Sequence, residues 1–173
     1  MQLAPGRRSA SSRGRYGCAI EIERKFVVDE PPADLDRWPS TAIEQGYIAV
    51  ADDGTEVRVR RRAGEAVLTV KSGSGRTRVE EEIEITPERF ERLWPLTARR
   101  RVEKTRYDIP ADGELTIELD VYDGALAGLV VAEVEFASEN DADAFVVPDW
   151  FGPEVTDDER YKNQRLARDG RPQ

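Results

Sequence analysis

Apolar and charged residues alternate along most of this chain. The pattern is clearest in Ile20-Glu21-Ile22-Glu23-Arg24-Lys25-Phe26 and in Val57-Arg58-Val59-Arg60. It returns in Val67-Leu68-Thr69-Val70-Lys71, in Arg78-Val79-Glu80-Glu81-Glu82-Ile83-Glu84-Ile85 and in Lys104-Thr105-Arg106-Tyr107. Leu115-Thr116-Ile117-Glu118-Leu119-Asp120-Val121 and Val131-Ala132-Glu133-Val134-Glu135-Phe136 follow, and residues 45–50 make a further run. Alternate side chains of a strand point to opposite faces, so the pattern predicts eight strands, each with a charged and an apolar side. Asp52-Asp53-Gly54, Ser72-Gly73-Ser74-Gly75 and Asp112-Gly113 carry turn chemistry between successive runs and predict antiparallel hairpins. Strands rather than a helix flank Gly73-Ser74-Gly75, which reads as a hairpin and not as a nucleotide loop.

Helical signals are few. Thr86-Pro87 is an N-cap followed by proline at the first helical position, ahead of Phe90, Leu93 and Trp94. A short helix is expected after Ser138. Thr156-Asp157-Asp158-Glu159 reads as a capping box opening a terminal helix that carries Tyr161 and Leu166. The class is α+β, mainly β. One globular unit is expected over residues 19–167, with a short tail over 168–173. Residues 1–18, rich in Ser, Gly and Arg with almost nothing to bury, are expected to be a disordered basic extension.

Composition narrows the chemistry. The 173 residues suffice for one domain with a real core. Lys and Arg number 26 against 35 Asp and Glu, a net charge of −9, which disfavours a nucleic-acid binder built on clustered positive charge. The chain contains no His, and Cys18 is its one cysteine, so imidazole chemistry, an internal disulfide and a multi-thiolate metal site are excluded. A bound metal would have to sit among carboxylates, which suits Mg²⁺, Mn²⁺ or Ca²⁺. No apolar run reaches the roughly 18–20 residues of a membrane span, and the start lacks the apolar stretch of a secretory signal. A cytoplasmic location is the expectation.

The predicted charged face is almost purely ionic. It holds Glu21, Glu23 and Lys25, then Arg58 and Arg60, then Lys71, then Arg78, Glu80, Glu82 and Glu84. Lys104 and Arg106, Glu118 and Asp120, and Glu133 and Glu135 complete it. An antiparallel sheet with one wet face explains simple alternation. A wet face, however, ordinarily mixes Ser, Thr and Gln with charges of both signs. Like charges at i and i+2 lie about 7 Å apart and repel mildly unless something sits between them. Paired carboxylates chelate a hard cation, and paired Arg and Lys hold phosphate oxygens. A face sorted into acidic and basic strands therefore suits a metal–polyphosphate ligand. Closing the sheet into a barrel would place that face in the lumen and the apolar face under the helices.

In order, Glu21-Ile22-Glu23-Arg24-Lys25, Gln45-Gly46-Tyr47, Val57-Arg58-Val59-Arg60, Leu68-Thr69-Val70-Lys71 and Lys104-Thr105-Arg106-Tyr107 resemble the CYTH family, the triphosphate tunnel metalloenzymes. Glu118-Leu119-Asp120, the run 128–136, Trp150-Phe151-Gly152, Glu154-Val155-Thr156 and Arg160-Tyr161-Lys162-Asn163 extend the match, closest to compact bacterial members. The resemblance implies an eight-stranded antiparallel tunnel barrel with a few flanking helices, binding a triphosphate with Mg²⁺ or Mn²⁺. By position, Glu21, Glu23, Glu118, Asp120, Glu133 and Glu135 would hold metal. Lys25, Arg58, Arg60, Lys71, Lys104 and Arg106 would hold phosphates, and Glu80 and Glu82 would line the tunnel wall. Lys25 and Tyr47 are the candidate catalytic residues. With no His, a proton acceptor must be a carboxylate, a Lys of lowered pKa or a Tyr. Lys25, near Tyr47 in the family arrangement, would orient or activate water, with a plain phosphate ligand as the other reading of Lys25 and ordinary barrel packing as that of Tyr47. The implied activity is hydrolysis of inorganic triphosphate or a related organic triphosphate. A class IV adenylyl cyclase and a non-catalytic polyphosphate-binding module are the alternatives. No nucleic-acid or membrane partner is expected, and a homodimer stays open.

Overall fold

The computed structural model describes residues 22–72, 79–113 and 115–172. The expected basic extension, Glu21, Arg78 and the glycine turn 73–75 lie outside these residues. Eight strands are present: β1 (Ile22–Val27), β2 (Ser40–Val50), β3 (Glu56–Arg62), β4 (Glu65–Ser72), β5 (Val79–Ile85), β6 (Arg101–Pro110), β7 (Thr116–Tyr122) and β8 (Val130–Phe136). Each corresponds to an alternating run. β2 begins five residues before its predicted start, because Ser40-Thr41-Ala42-Ile43-Glu44 pairs with β6 without an ionic alternation to reveal it.

All strands lie in one antiparallel sheet in the order β1-β8-β7-β6-β2-β3-β4-β5. Gly54 and Gly113 take positive φ in the turns predicted for them. The β3–β4 hairpin turns on Ala63-Gly64, with φ of 51° and 85°, directly between the paired Arg62 and Glu65. Two consecutive positive φ values define the primed turn that matches strand twist, and Ala in the first place hid it from the sequence.

The sheet's two faces differ as the pattern requires. On the apolar face, Ile117, Leu119, Ala132, Val134 and Phe136 form the largest core cluster, covered by α2 (Glu139–Ala144) and the aromatic segment around Phe145, Trp150 and Phe151. A second cluster on the same face packs Val59 and Ala66 under Phe90 of α1 (Pro87–Leu93). Thr86 caps α1 and Ser138 caps α2, as expected. Each large apolar side chain removed from water contributes about 1.5–3 kcal/mol, so these clusters hold the helices to the sheet.

Two expectations are corrected. Among the described residues no ladder joins β1 to β5, so the eight strands do not close into a hydrogen-bonded ring. The outward-facing backbone groups of Lys25 and Val27 on β1 are already taken. Val27 donates to the Pro153 carbonyl at 3.0 Å, Gly152 donates to Val27 at 2.8 Å, and Val155 donates to Lys25 at 2.8 Å. The predicted terminal helix is also split. A short 3-10 turn, Glu159–Tyr161, precedes α3 (Asn163–Asp169), and Asp158 rather than Thr156 caps that turn. The Thr156 hydroxyl is committed to β1, where it accepts from the Lys25 amide. Helix α3 also runs two residues past the predicted end of the globular unit. No described helix is long and apolar enough to cross a membrane.

Candidate active site

The ionic side chains share the face opposite α1 and α2, and the register divides them into two halves. In the acidic half, Glu118 lies directly across from Glu133, Glu133 across from Lys25, and Glu135 across from Glu23. Arg106 and Lys104 on β6 reach into this group. Arg106 donates to Asp120 at 2.6 Å, to Glu133 at 2.7 Å and to Glu118. Lys104 binds Asp120, which is fully buried, and Lys25 lies 2.9 Å from Glu133. Burying such charges is tolerable only because each is paired and hydrogen-bonded.

Titration follows that pairing. Burial alone would raise the Glu133 carboxyl, but Lys104, Lys25 and Arg106 hold it down at about 2. Glu118 goes the other way: burial raises it, opposed by Arg106 and reinforced by Glu133, Asp120 and Glu135. Burial would lower Lys25, yet Glu133 and Glu23 outweigh it and keep the amine protonated. Tyr47 is pushed up to about 12 by burial, with Glu56 adding to the shift. As free proton acceptors near neutral pH, both Lys25 and Tyr47 are therefore disfavoured. The Tyr47 hydroxyl accepts from Gln45 at 2.8 Å, and its ring belongs to a buried cluster, an arrangement that suits a wall and not a base.

The basic half is looser. Arg58 lies 3.8 Å from Glu56 and 3.6 Å from Glu80, Arg60 lies 3.3 Å from Glu82, and Lys71 lies 2.9 Å from Glu80. The Nε of Arg58 is buried with no hydrogen-bond partner. An unmet buried donor costs about 1–3 kcal/mol, and a phosphate oxygen is an acceptor of the right kind to meet it. Burial and the like charge of Arg58 lower the affinity of Arg60 for its proton, the signature of cations crowded together.

At one end this face turns apolar. Tyr47, Val102, Tyr122, Leu126, Leu129 and Val131 pack against Leu166 and Ala167 of α3, and Tyr122 donates to Asn163 at 3.0 Å. The C-terminal helix thus covers that end of the charged face. Two acidic residues on the face were not among the expected ones: Asp108, directly across from Glu118, and Glu56, two residues before Arg58. Extending the alternation by one step past Tyr107 and before Val57 identifies both.

For a hard cation, the donor chemistry of Glu23, Glu118, Asp120, Glu133 and Glu135 fits, since all are carboxylates on adjoining strands. Among the described residues, however, no three such groups stand around a common metal position. The Arg106 guanidinium instead bridges three of the carboxylates.

Comparison with known proteins places this arrangement. Residues 19–147 match the CYTH domain family. An inorganic triphosphatase of Nitrosomonas europaea is 50% identical over 150 residues, covering 85% of this chain and 96% of that protein. An inorganic triphosphatase of Acetivibrio thermocellus is 41% identical over 154 residues, 86% of this chain and 93% of that protein. A crystal structure of an inorganic triphosphatase superposes with a TM-score of 0.73 at 45% identity, covering 86% of this chain and 95% of that one. The triphosphate tunnel metalloenzymes of this family are metal-dependent. On a match over residues 19–147 and full-length relatives at this identity, the chain belongs to the CYTH domain family.

Proposed function

We propose that this chain is a metal-dependent inorganic triphosphatase, hydrolysing tripolyphosphate to pyrophosphate and phosphate. The observation that carries the reading is the sorted ionic face, with loosely paired cations on β3 and β4 beside a dense carboxylate set on β7 and β8. Relatives named inorganic triphosphatase, matched over 96% and 93% of their length, support the same conclusion. Arg58, Arg60 and Lys71 bind phosphate oxygens, and the orphan Nε of Arg58 gains its acceptor. Lys104 and Arg106 hold Asp120, Glu118 and Glu133 in place and add positive charge toward the substrate. Glu80 and Glu82 line the basic half and compete with phosphate for its cations. Lys25, protonated beside Glu133, orients water or a phosphate oxygen by donation, and Tyr47 packs behind the basic half.

Mg²⁺ or Mn²⁺ is the metal we assign, and Glu23, Glu118, Asp120, Glu133 and Glu135, with Glu21 from the sequence pattern, would hold it once the Arg106 bridge gives way. When bound, such a cation neutralises phosphate charge and lowers the pKa of coordinated water. Hydrolysis breaks one P–O–P bond, adds the water oxygen to the attacked phosphorus and releases the other phosphate on its own oxygen. Positioning and charge neutralisation supply most of the rate in such transfers. We assign the catalytic unit to residues 19–169, ending with α3.

The test is phosphate release from tripolyphosphate, ATP, thiamine triphosphate and pyrophosphate, each with Mg²⁺ and with Mn²⁺. Tripolyphosphate is expected to be turned over fastest, because a face of charges rewards compact charge and offers little to a nucleoside. Cyclic AMP from ATP without phosphate release from tripolyphosphate would overturn the reading in favour of a cyclase. Binding without turnover of any of them would leave a polyphosphate-binding module.

A further inference from the structure

The Glu154-Val155-Thr156 motif lies on the edge of β1, outside the ionic face, and the proposed reaction leaves it without a role. Two of its three residues meet the backbone of Lys25. The amide of Lys25 donates to the Thr156 hydroxyl at 3.0 Å, and the Lys25 carbonyl accepts from Val155 at 2.8 Å. In a strand, one residue's N–H and C=O point to the same side. Lys25 therefore directs both backbone groups away from β8, and Lys25 and Glu133 form a non-hydrogen-bonded pair. Such pairs bring their side chains closest, consistent with the 2.9 Å contact between Lys25 and Glu133.

A second layer holds the hydroxyl. Thr156 donates to Glu154 at 2.8 Å, and Arg24 grips the same carboxylate with two bonds, at 3.0 and 2.6 Å. Arg24 is itself anchored on the Ala142 carbonyl of α2 at 3.1 Å and stacked on Phe26. The hydrogen bond to Arg24 holds the Glu154 carboxyl below its ordinary range, so the clasp is ionised at neutral pH. At the near end, a Cβ on Gly152 would meet the Val27 carbonyl at 2.8 Å, so only glycine lets the segment lie this close to β1.

We propose that Thr156 and Glu154 are positioning residues that set Lys25 in the active site by clamping its backbone from outside the ionic face. The proposal rests on the triphosphatase reading for its kinetic consequence but not for its geometry. Thr156→Val keeps the shape and removes the acceptor, and Thr156→Ser restores it.

The experiment is a double-mutant cycle with Lys25→Met on tripolyphosphate hydrolysis, with thermal stability measured on every variant. Thr156→Val is expected to lower kcat/KM by about five- to tenfold, the rate equivalent of one net hydrogen bond. It should change kcat and KM in the same sense as Lys25→Met, cost little further in the Lys25→Met background, and be reversed in Thr156→Ser. Equal losses in both backgrounds, or failure of Ser to restore, would make the clasp structural only and overturn the proposal. An arm independent of turnover is the acylation rate of the Lys25 amine, read by peptide mapping. That rate is expected to change several-fold in Thr156→Val and to return in Thr156→Ser. An unchanged rate sinks the proposal even if the chain hydrolyses no tripolyphosphate, whereas a changed rate without turnover sinks only the triphosphatase reading.

Discussion

Arg58 and Glu133 mark the two kinds of charge in this site. Arg58 has long contacts and an unmet Nε, so its positive charge is available to a ligand. Arg58→Ala should raise KM for tripolyphosphate about tenfold or more, the cost of one charge-assisted hydrogen bond, while leaving metal binding by the free protein intact. Steady-state kinetics and calorimetric metal titration check the two halves separately. Glu133→Gln with Glu135→Gln should do the reverse, shifting the metal requirement upward, and an unchanged metal dependence would make those carboxylates structural. Glu133 also predicts a pH effect on the metal-free protein. Its folded pKa of about 2 lies below its ordinary value of 4.5, so its pairing stabilises the fold fully above the ordinary value. That contribution is lost as pH falls toward 2. Thermal unfolding of Glu133→Gln against the unmodified chain should therefore show a deficit at pH 7 that narrows by pH 2.5. At this scale the sequence told which residues carry charge on which face, because parity is local. It did not tell that Arg106 would bridge Glu118, Asp120 and Glu133, because that depends on which strands become neighbours.

The elements were legible where one period ran long enough. Seven of the eight strands follow from alternation, β2 is legible only as the run 45–50, and α1 and α2 begin at the caps their sequences announce. The C-terminal helix was legible in kind and wrong in extent, since Thr156 meets the specification for an N-cap and is instead used by the Lys25 amide. A hydroxyl has one place at a time, and the tertiary contact wins here over the local one. Helix α3 is short, with only Leu166 and Ala167 buried, so the packing of those two side chains decides whether it forms. Leu166→Ala should cost about 2–5 kcal/mol of stability and loosen the apolar end of the ionic face. Tyr122→Phe, which removes only the hydrogen bond to Asn163, should cost about 1 kcal/mol. Denaturant unfolding of both variants measures the difference.

For the whole molecule, an ionic face laced with its own ion pairs should respond to a polyanion by exchanging partners. Tripolyphosphate, binding the folded chain alone, is expected to raise the unfolding temperature in proportion to the logarithm of its concentration. The gain is about 2.7 kcal/mol at a hundredfold excess over Kd, and Arg58→Ala should lose about half of it or more at the same concentration. Differential scanning calorimetry without metal tests this, and an unfolding temperature indifferent to tripolyphosphate would argue against the phosphate assignments. By itself the sequence determined the strands, their two-faced character, the absence of imidazole chemistry and of a multi-thiolate metal site, and the family. These are properties of residue type, spacing and order, which no packing alters. Tertiary structure alone decided the sheet order, the halves of the ionic face, the cover of one end by α3 and, among the described residues, the lack of a β1–β5 ladder. Each depends on a contact between residues far apart in the chain: Val27 with Pro153, Lys25 with Thr156, Tyr122 with Asn163. Alternation says which way a side chain points but not what stands opposite, and hydrogen-bonding groups on a strand edge go to whichever segment the fold brings there.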